Sequence, residues 1–196
     1  GQSFRITDQN GSRDFIIPLL GSHQLTNAAT AYGALAASEL DVPNVAIGEG
    51  FSRAKWPGRF EILRREPPFI IDSAHNRESA LRLYEALRDY FPERRVVMVF
   101  CALEDKDIPG ILAELAPCLE RVVATRADHP RAASAEWIAE RVSEAGIPVE
   151  TAEPAAQALR RAFEIAGDRS PVLAAGSVAF AGEIRQAWLD MQQASR

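Results

Sequence analysis

Two cysteines and three histidines are scattered over 196 residues, and none falls at a spacing that builds a zinc site. Cys101 and Cys118 lie in apolar or helical surroundings, far from any C-x-x-C pair. They read as two reduced core thiols of a cytosolic protein. Long apolar runs are missing too, since none approaches the ~20 residues that cross a bilayer. No signal-peptide pattern opens the chain. Nothing reads Gly-x-x-x-x-Gly-Lys followed by Ser or Thr, so the chain carries no P-loop of its own. Positive charge is also scarce. A net charge of −5 argues against a non-specific nucleic-acid binder, which needs a basic face. There are no internal repeats and no low-complexity tract.

Nearly half of the residues are apolar, at 47%, enough for a sizeable core. The length suggests one domain plus a fragment, at ~150 residues per domain. The chain opens in mid-pattern on a strand-like segment, which suggests a piece of a longer protein. Phe4–Thr7 and Phe15–Leu19 flank Asn10-Gly11, and Asn-Gly supplies the positive φ angles of a tight hairpin. From Leu25 to Leu40 the spacing of Leu25, Ala28, Ala29, Tyr32, Leu35, Ala36 and Leu40 predicts a helix, ended by Pro43. A shorter helix is expected over Val45–Arg53. Pro57-Gly58 then marks a turn and a domain boundary.

Beyond Arg59 the sequence alternates strand and helix. Strands are expected at Phe60–Arg65, Phe69–Asp72, Val96–Leu103, Arg121–Thr125, Val149–Thr151 and Val172–Ala175. The run Val96–Leu103 is continuously apolar, as in a parallel strand buried on both faces. Asn76 and Asp107 stand where helix caps belong, a helix stopped by Gly146 is expected over Ser134–Ala145, and Pro154 suits a first helical turn. A final amphipathic helix covers Val178–Gln192. This order predicts an α/β fold: a Rossmann-like, doubly wound, mostly parallel sheet with right-handed crossovers, its first strand a possible antiparallel edge.

In such a sheet ligands bind beyond the carboxyl ends of the strands. Four polar or Gly-containing loops lie there: Asp72–Asn76, Leu103–Asp107, Arg126–Ser134 and Gly176–Ser177. In the first, Asp72 either caps the helix or serves a ligand, and His75 either bonds backbone or does the same. Both are expected to be partly exposed. Arg59 reads as a solvated charge or an anion contact. Lys106, flanked by Asp105 and Asp107, belongs to a plain charged turn or faces a carboxylate or phosphate. His129 reads as a loop histidine, and Arg131 as a possible anion clamp near a helix start. Gly176-Ser177 is a tight turn with Ser177 as N-cap, or a carboxylate site of hydroxyl and backbone N–H groups. Gly182 stands six residues after Gly176, so Gly-x-Gly-x-x-Gly is absent and a dehydrogenase is disfavoured. His23-Gln24-Leu25-Thr26-Asn27 opens the Ala-rich helix. Capping accounts for it, although an Asn amide can also read an adenine edge.

Five words, in one order, resemble folylpolyglutamate synthase/dihydrofolate synthase of the Mur ligase superfamily. They are His23-Gln24-x-x-Asn27-Ala28-Ala29, Trp56-Pro57-Gly58-Arg59-x-Glu61, Asp72-x-Ala74-His75-Asn76, Asp105-Lys106-Asp107 and Gly176-Ser177, with Pro130-Arg131-Ala132 a weaker sixth. Ser73 stands where the family usually has glycine. The resemblance implies that residues 1–55 are the tail of a central ATPase domain and residues 56–196 the C-terminal glutamate ligase domain. It implies ATP and Mg²⁺ as cofactors, with the metal ligands mainly in the preceding domain. It also implies L-glutamate and dihydropteroate or folate as substrates, and a cytoplasmic monomer with no nucleic-acid or membrane partner. By the same resemblance Asn27 contacts adenine, Arg59 the phosphates, and Asp72 the ribose or phosphate region. His75, Ser177 and Lys106 stand on the glutamate side, with His75 and Asp72 catalytic. Such a chain would be inactive alone. A muramyl-peptide ligase is the alternative within the superfamily, and a non-catalytic nucleotide-binding domain the alternative outside it.

Overall fold

Alternating apolar residues on either side of a glycine form the first element of the computed structural model, which describes residues 1–9, 11–38 and 40–194. Strands β1 (Gln2–Asp8) and β2 (Gly11–Ile17) pair antiparallel, Phe4 opposite Phe15 and Asp8 opposite Gly11. Gly11 has φ +116°, which glycine adopts readily; Asn10, the other half of the turn signal, lies outside the described residues. The chain divides into two units, Gly1–Pro57 and Gly58–Arg196.

In the first unit, helices α1 (Ser22–Ala37) and α2 (Asn44–Ser52) complete the hairpin. Phe15, Tyr32 and Ile47 form its core, with Phe4, Ile6, Leu35, Val42 and Phe51 packed around them. The predicted span of α1 is shifted. It starts at Ser22, after Gly21 at φ +97°. It stops at Ala37 because both Ser38 N–H and Ser38 Oγ donate to the Leu35 carbonyl. Leu40, assigned to the helical stripe, is exposed.

The second unit is a six-stranded sheet in the order β3-β4-β8-β5-β6-β7. Its strands are β3 (Glu61–Arg65), β4 (Pro68–Ile71), β5 (Val96–Phe100), β6 (Leu119–Ala124), β7 (Val149–Thr151) and β8 (Val172–Ala175). Only β3 runs antiparallel, on the edge beside β4. Strands β4, β5 and β8 are buried at every position, as expected for a sheet covered on both faces. The helices are α3 (Arg77–Tyr90), α4 (Ile108–Leu115), α5 (Ala135–Glu144), α6 (Ala155–Ala166) and α7 (Val178–Ala194). Asn76 and Ser79 form a reciprocal capping box on α3, and Asp107 and Ser134 cap α4 and α5. Strand β5 ends at Phe100 rather than Leu103. Beyond it the chain leaves the ladder, with Cys101 N–H 3.4 Å from the Ala175 carbonyl. Among the described residues no helix is long and apolar enough to cross a membrane.

Topology places the site. Steps from β4 to β5, β6 and β7 use α3, α4 and α5, and the return to β8 uses α6. With right-handed crossovers the two directions put helices on opposite faces; α3 packs on α4 and α4 on α5, while α6 packs on α7. Strand β8 sends its chain into α7, whereas its neighbours β4 and β5 send theirs into α3 and α4. Such a reversal opens a crevice beyond the carboxyl ends of the strands.

Candidate functional site

Three of the loops singled out above leave β4, β8 and β5, which are adjacent. Asp72 follows β4 directly, and its N–H still donates to the Ala174 carbonyl of β8 at 2.9 Å. Its carboxylate faces the chain: Oδ2 accepts from Phe60 N–H at 2.8 Å and Oδ1 from Ala74 N–H at 2.7 Å. Asp72 is therefore buried, 9% exposed, against the expectation of partial exposure. Nor does it cap α3, a role that belongs to Asn76. Burial pushes its carboxyl above the usual carboxylate range, opposed by the two N–H donors and by nearby Arg59 and His75.

The Phe60 N–H bond has a local consequence. Phe60, expected to begin a strand, has φ +43°, a region that non-glycine residues rarely occupy. Its ring is buried against Tyr90 and Phe91, and that packing with the Asp72 bond holds the backbone there. Gly58, at φ +74°, lies against α7, where a Cβ on it would stand 3.2 Å from the Ala181 Cβ. Glu61 closes the turn by accepting from Gly58 N–H at 2.9 Å, and it is gripped in turn by Arg185 Nε at 3.0 Å. Arg59, between these anchors, makes no hydrogen bond or ion pair with any described residue. A half-buried guanidinium that bonds to no protein carboxylate, though Asp72 is near enough to feel its charge, is well placed to receive an anion.

His75 shares the Asp72 loop. Its Nδ1 lies 3.0 Å from the Ser73 carbonyl. A carbonyl only accepts, so Nδ1 carries the proton and neutral His75 keeps a lone pair on Nε2. Ser73, in the place of the family glycine, is not among the described residues with positive φ, so the replacement strains nothing. Across β8, Gly176 has φ +137°, and a Cβ there would fall 1.7 Å from the Cys101 carbonyl oxygen. Only glycine fits. Ser177 follows, buried, its Oγ accepting from Phe180 N–H at 3.0 Å. The first N–H groups of α7 form a partial positive end that attracts carboxylates, and the Ser177 hydroxyl beside it also hydrogen-bonds the Cys101 thiol. The neighbouring Cys101 thiol, pushed up to about 12 by burial, is not a nucleophile at neutral pH.

Lys106, in the loop after β5, pairs with Asp105 at 3.2 Å and with no other acid among the described residues. Arg131 is 3.9 Å from the same Asp105, and its N–H donates to His129 Nδ1. The Leu103–Asp107 and Arg126–Ser134 loops are joined by the Leu103–Ala132 bridge and by Glu104 N–H donating to the Arg131 carbonyl. In the first unit, Asn27 is exposed on α1 and donates from Nδ2 to Gln24 Oε1 at 3.1 Å. Capping does not explain that segment, because no side chain caps α1.

Sequence reasoning missed three polar groups around this end of the sheet. Arg185 grips Glu61 from 124 positions away. Glu183, also on α7, accepts from Asp128 N–H at 3.1 Å and ties the β6 loop down. The Thr125 hydroxyl, fully buried at the end of β6, has no hydrogen-bond partner among the described residues. The first was within reach: Ser177, Ala181 and Arg185 recur every four residues, one face of a helix. No group of three or more His, Cys, Asp or Glu among the described residues could hold a metal ion.

Residues 58–178 match the family described as Mur ligase, glutamate ligase domain. The chain is 37% identical over 194 residues to a dihydrofolate synthase/folylpolyglutamate synthase of Mycobacterium tuberculosis, covering 88% of this chain and 39% of that protein. Among solved structures it resembles Mycobacterium tuberculosis folylpolyglutamate synthase complexed with ADP, with TM-score 0.86 and 35% identity over 95% of this chain and 44% of that one. A bifunctional folylpolyglutamate synthase/dihydrofolate synthase with Mn, AMPPNP and L-glutamate bound superposes with TM-score 0.80 and 30% identity, covering 93% and 45%. The chain thus spans about two fifths of the length of the curated relative.

Proposed function

Because this chain belongs to the Mur ligase glutamate ligase domain family, we propose that it is the glutamate-holding part of an ATP-dependent ligase that adds L-glutamate to dihydropteroate or folate. What supports this reading is that the Asp72–His75 loop leaves β4 beside the Gly176–Ser177 turn that leaves β8, with Arg59 and His75 close enough to act on the Asp72 carboxylate. On this reading residues 1–55 are the tail of a central ATPase domain, and residues 56–196 are the C-terminal glutamate ligase domain.

ATP supplies the phosphoryl group that turns the pterin substrate's carboxylate into an acyl phosphate. The glutamate amine then attacks the acyl carbon, an amide forms, and phosphate leaves. Arg59 neutralises phosphate charge. Asp72 stands at the ribose and phosphate side and holds Arg59 in place through Phe60. His75 offers Nε2 to the incoming amine, and Ser177 with the α7 N-terminus receives a glutamate carboxylate. Lys106 adds positive charge on that side, and Asn27 reads the adenine edge with the amide atoms that Gln24 leaves free. Domain closure excludes water, which would otherwise hydrolyse the acyl phosphate. By the family resemblance, the Mg²⁺ ligands lie mainly in the rest of the ligase. Without a P-loop this chain alone positions no β,γ-phosphates and turns over nothing.

Phosphate release by the full-length ligase, with glutamate and either dihydropteroate or a muramyl precursor, tests the assignment. Release that needs both glutamate and dihydropteroate is the expected result. Release with the muramyl substrate only would move the chain to the cell-wall branch, and none with any acceptor would favour a nucleotide-binding module. Turnover by the purified 196-residue chain would overturn the division of labour.

A further inference from the structure

We infer that Arg185, acting through Glu61, is the positioning residue for Arg59, and that α7 thereby fixes the spacing between the anion side and the carboxylate side of the site. The inference rests on the reading of Arg59 as the phosphate contact. The 58–61 turn has three independent anchors. Gly58, at φ +74°, lies against Ala181 of α7, where an added Cβ would make a tight 3.2 Å contact. Glu61 Oε2 accepts the Gly58 N–H, and both Glu61 oxygens lie 3.0 and 3.3 Å from Arg185 Nε. Asp72 takes the Phe60 N–H from the opposite side.

One oxygen of each carboxylate, Glu61 Oε2 and Asp72 Oδ2, accepts a backbone N–H of the turn, and neither carboxylate forms a salt bridge or hydrogen bond with the Arg59 guanidinium, which Asp72 feels only as a nearby charge. Arg185 is what keeps Glu61 so engaged. Glu61 is only partly buried, its side chain 21% exposed, and without a cation it would turn to water and release the Gly58 N–H. Ser177, Ala181 and Arg185 stand at i, i+4 and i+8 of one helix. The residue that starts α7 at the carboxylate end and the residue that braces the Arg59 turn are therefore joined by about two rigid turns, some 12 Å at 1.5 Å per residue. A ligase that must bring a phosphorylated acyl group and an amine together gains from such a fixed separation, because small misplacements are costly in rate.

The test is a double-mutant cycle in the full-length ligase, with ATP and glutamate varied separately and melting temperature measured on the same preparations. Arg185→Ala is expected to lower kcat/KM for ATP by about tenfold while KM for glutamate moves less than about twofold. Arg185→Lys should restore part of the loss, and Glu61→Gln should reproduce it. In the Arg59→Ala background, Arg185→Ala should add nothing, because both act through one group. An impaired Arg59→Ala with a normal Arg185→Ala would overturn the positioning role and leave the phosphate reading intact. A normal Arg59→Ala would remove the phosphate reading and this inference with it. Additive losses in the double variant, or a fall in melting temperature that accounts for the activity lost in both Arg185 variants, would reduce Arg185 to a structural brace.

Discussion

Gly176→Ala is expected to destabilise the chain by about 3–6 kcal/mol, the largest effect of any single methyl group added here. Two costs combine. The backbone at φ +137° is a region that alanine avoids, and the new Cβ would stand 1.7 Å from the Cys101 carbonyl oxygen. That oxygen belongs to the segment leaving β5, which cannot retreat without disturbing the neighbouring β8 ladder. For a unit of this size the loss corresponds to a drop in melting temperature of at least about 10 °C. Thermal unfolding followed by circular dichroism reads it directly. A variant within about 2 °C of the parent would mean that the β8–α7 turn relaxes freely, and that Ser177 is not rigidly presented.

Asp72→Ala should cost about 2–5 kcal/mol, because it strands the Phe60 and Ala74 N–H groups in a buried place. Asp72→Asn should cost less but not nothing, since an amide has one acceptor oxygen for two donors. His75→Ala, by contrast, removes a half-buried ring whose Nδ1 bond is local to its own loop, and surface changes of that kind stay within about 0.5 kcal/mol. The two residues were expected from sequence to behave alike, with kinetic losses and little change in stability. The structure separates them. In the full-length ligase His75→Ala should lower kcat and kcat/KM together with a near-parental melting temperature, whereas Asp72→Ala should lose stability and activity at once. Equal melting temperatures for the two variants would contradict the burial of the Asp72 carboxylate.

Much of the second unit was legible because its strands carry the marks of a sheet covered on both faces. Val172–Ala175 is a short apolar run buried at every position, and its bounds, like those of the half-exposed edge strand Val149–Thr151 with its two β-branched residues, read directly. The caps at Asn76 and Asp107 were legible for a chemical reason: short polar side chains before apolar stripes satisfy free N–H groups. Other features depend on tertiary structure. Phe60 has strand-like chemistry, and only the buried Asp72 carboxylate and the Tyr90–Phe91 pocket explain its positive φ. The role of Asp72 as a backbone clamp could not be read either, because it requires knowing that the 58–61 turn folds over the end of β4. The end of α1 was misplaced because Ser38 takes the Leu35 carbonyl, a local competition that periodicity does not register. In the candidate site, the residue types picked out loops that leave the adjacent strands β4, β8 and β5, while Arg185 lay far along the chain, marked only by its four-residue spacing from Ser177 and Ala181.

A crystal structure of the full-length ligase with a non-hydrolysable ATP analogue and L-glutamate tests the proposed site most directly. The expected result has the Arg59 guanidinium within hydrogen-bond distance of a phosphate oxygen, and a glutamate carboxylate on Ser177 Oγ and the first N–H groups of α7. His75 Nε2 should face the glutamate amine. Glutamate bound away from the β4 and β8 loops, with Arg59 left in solvent beside an occupied nucleotide site, would contradict it.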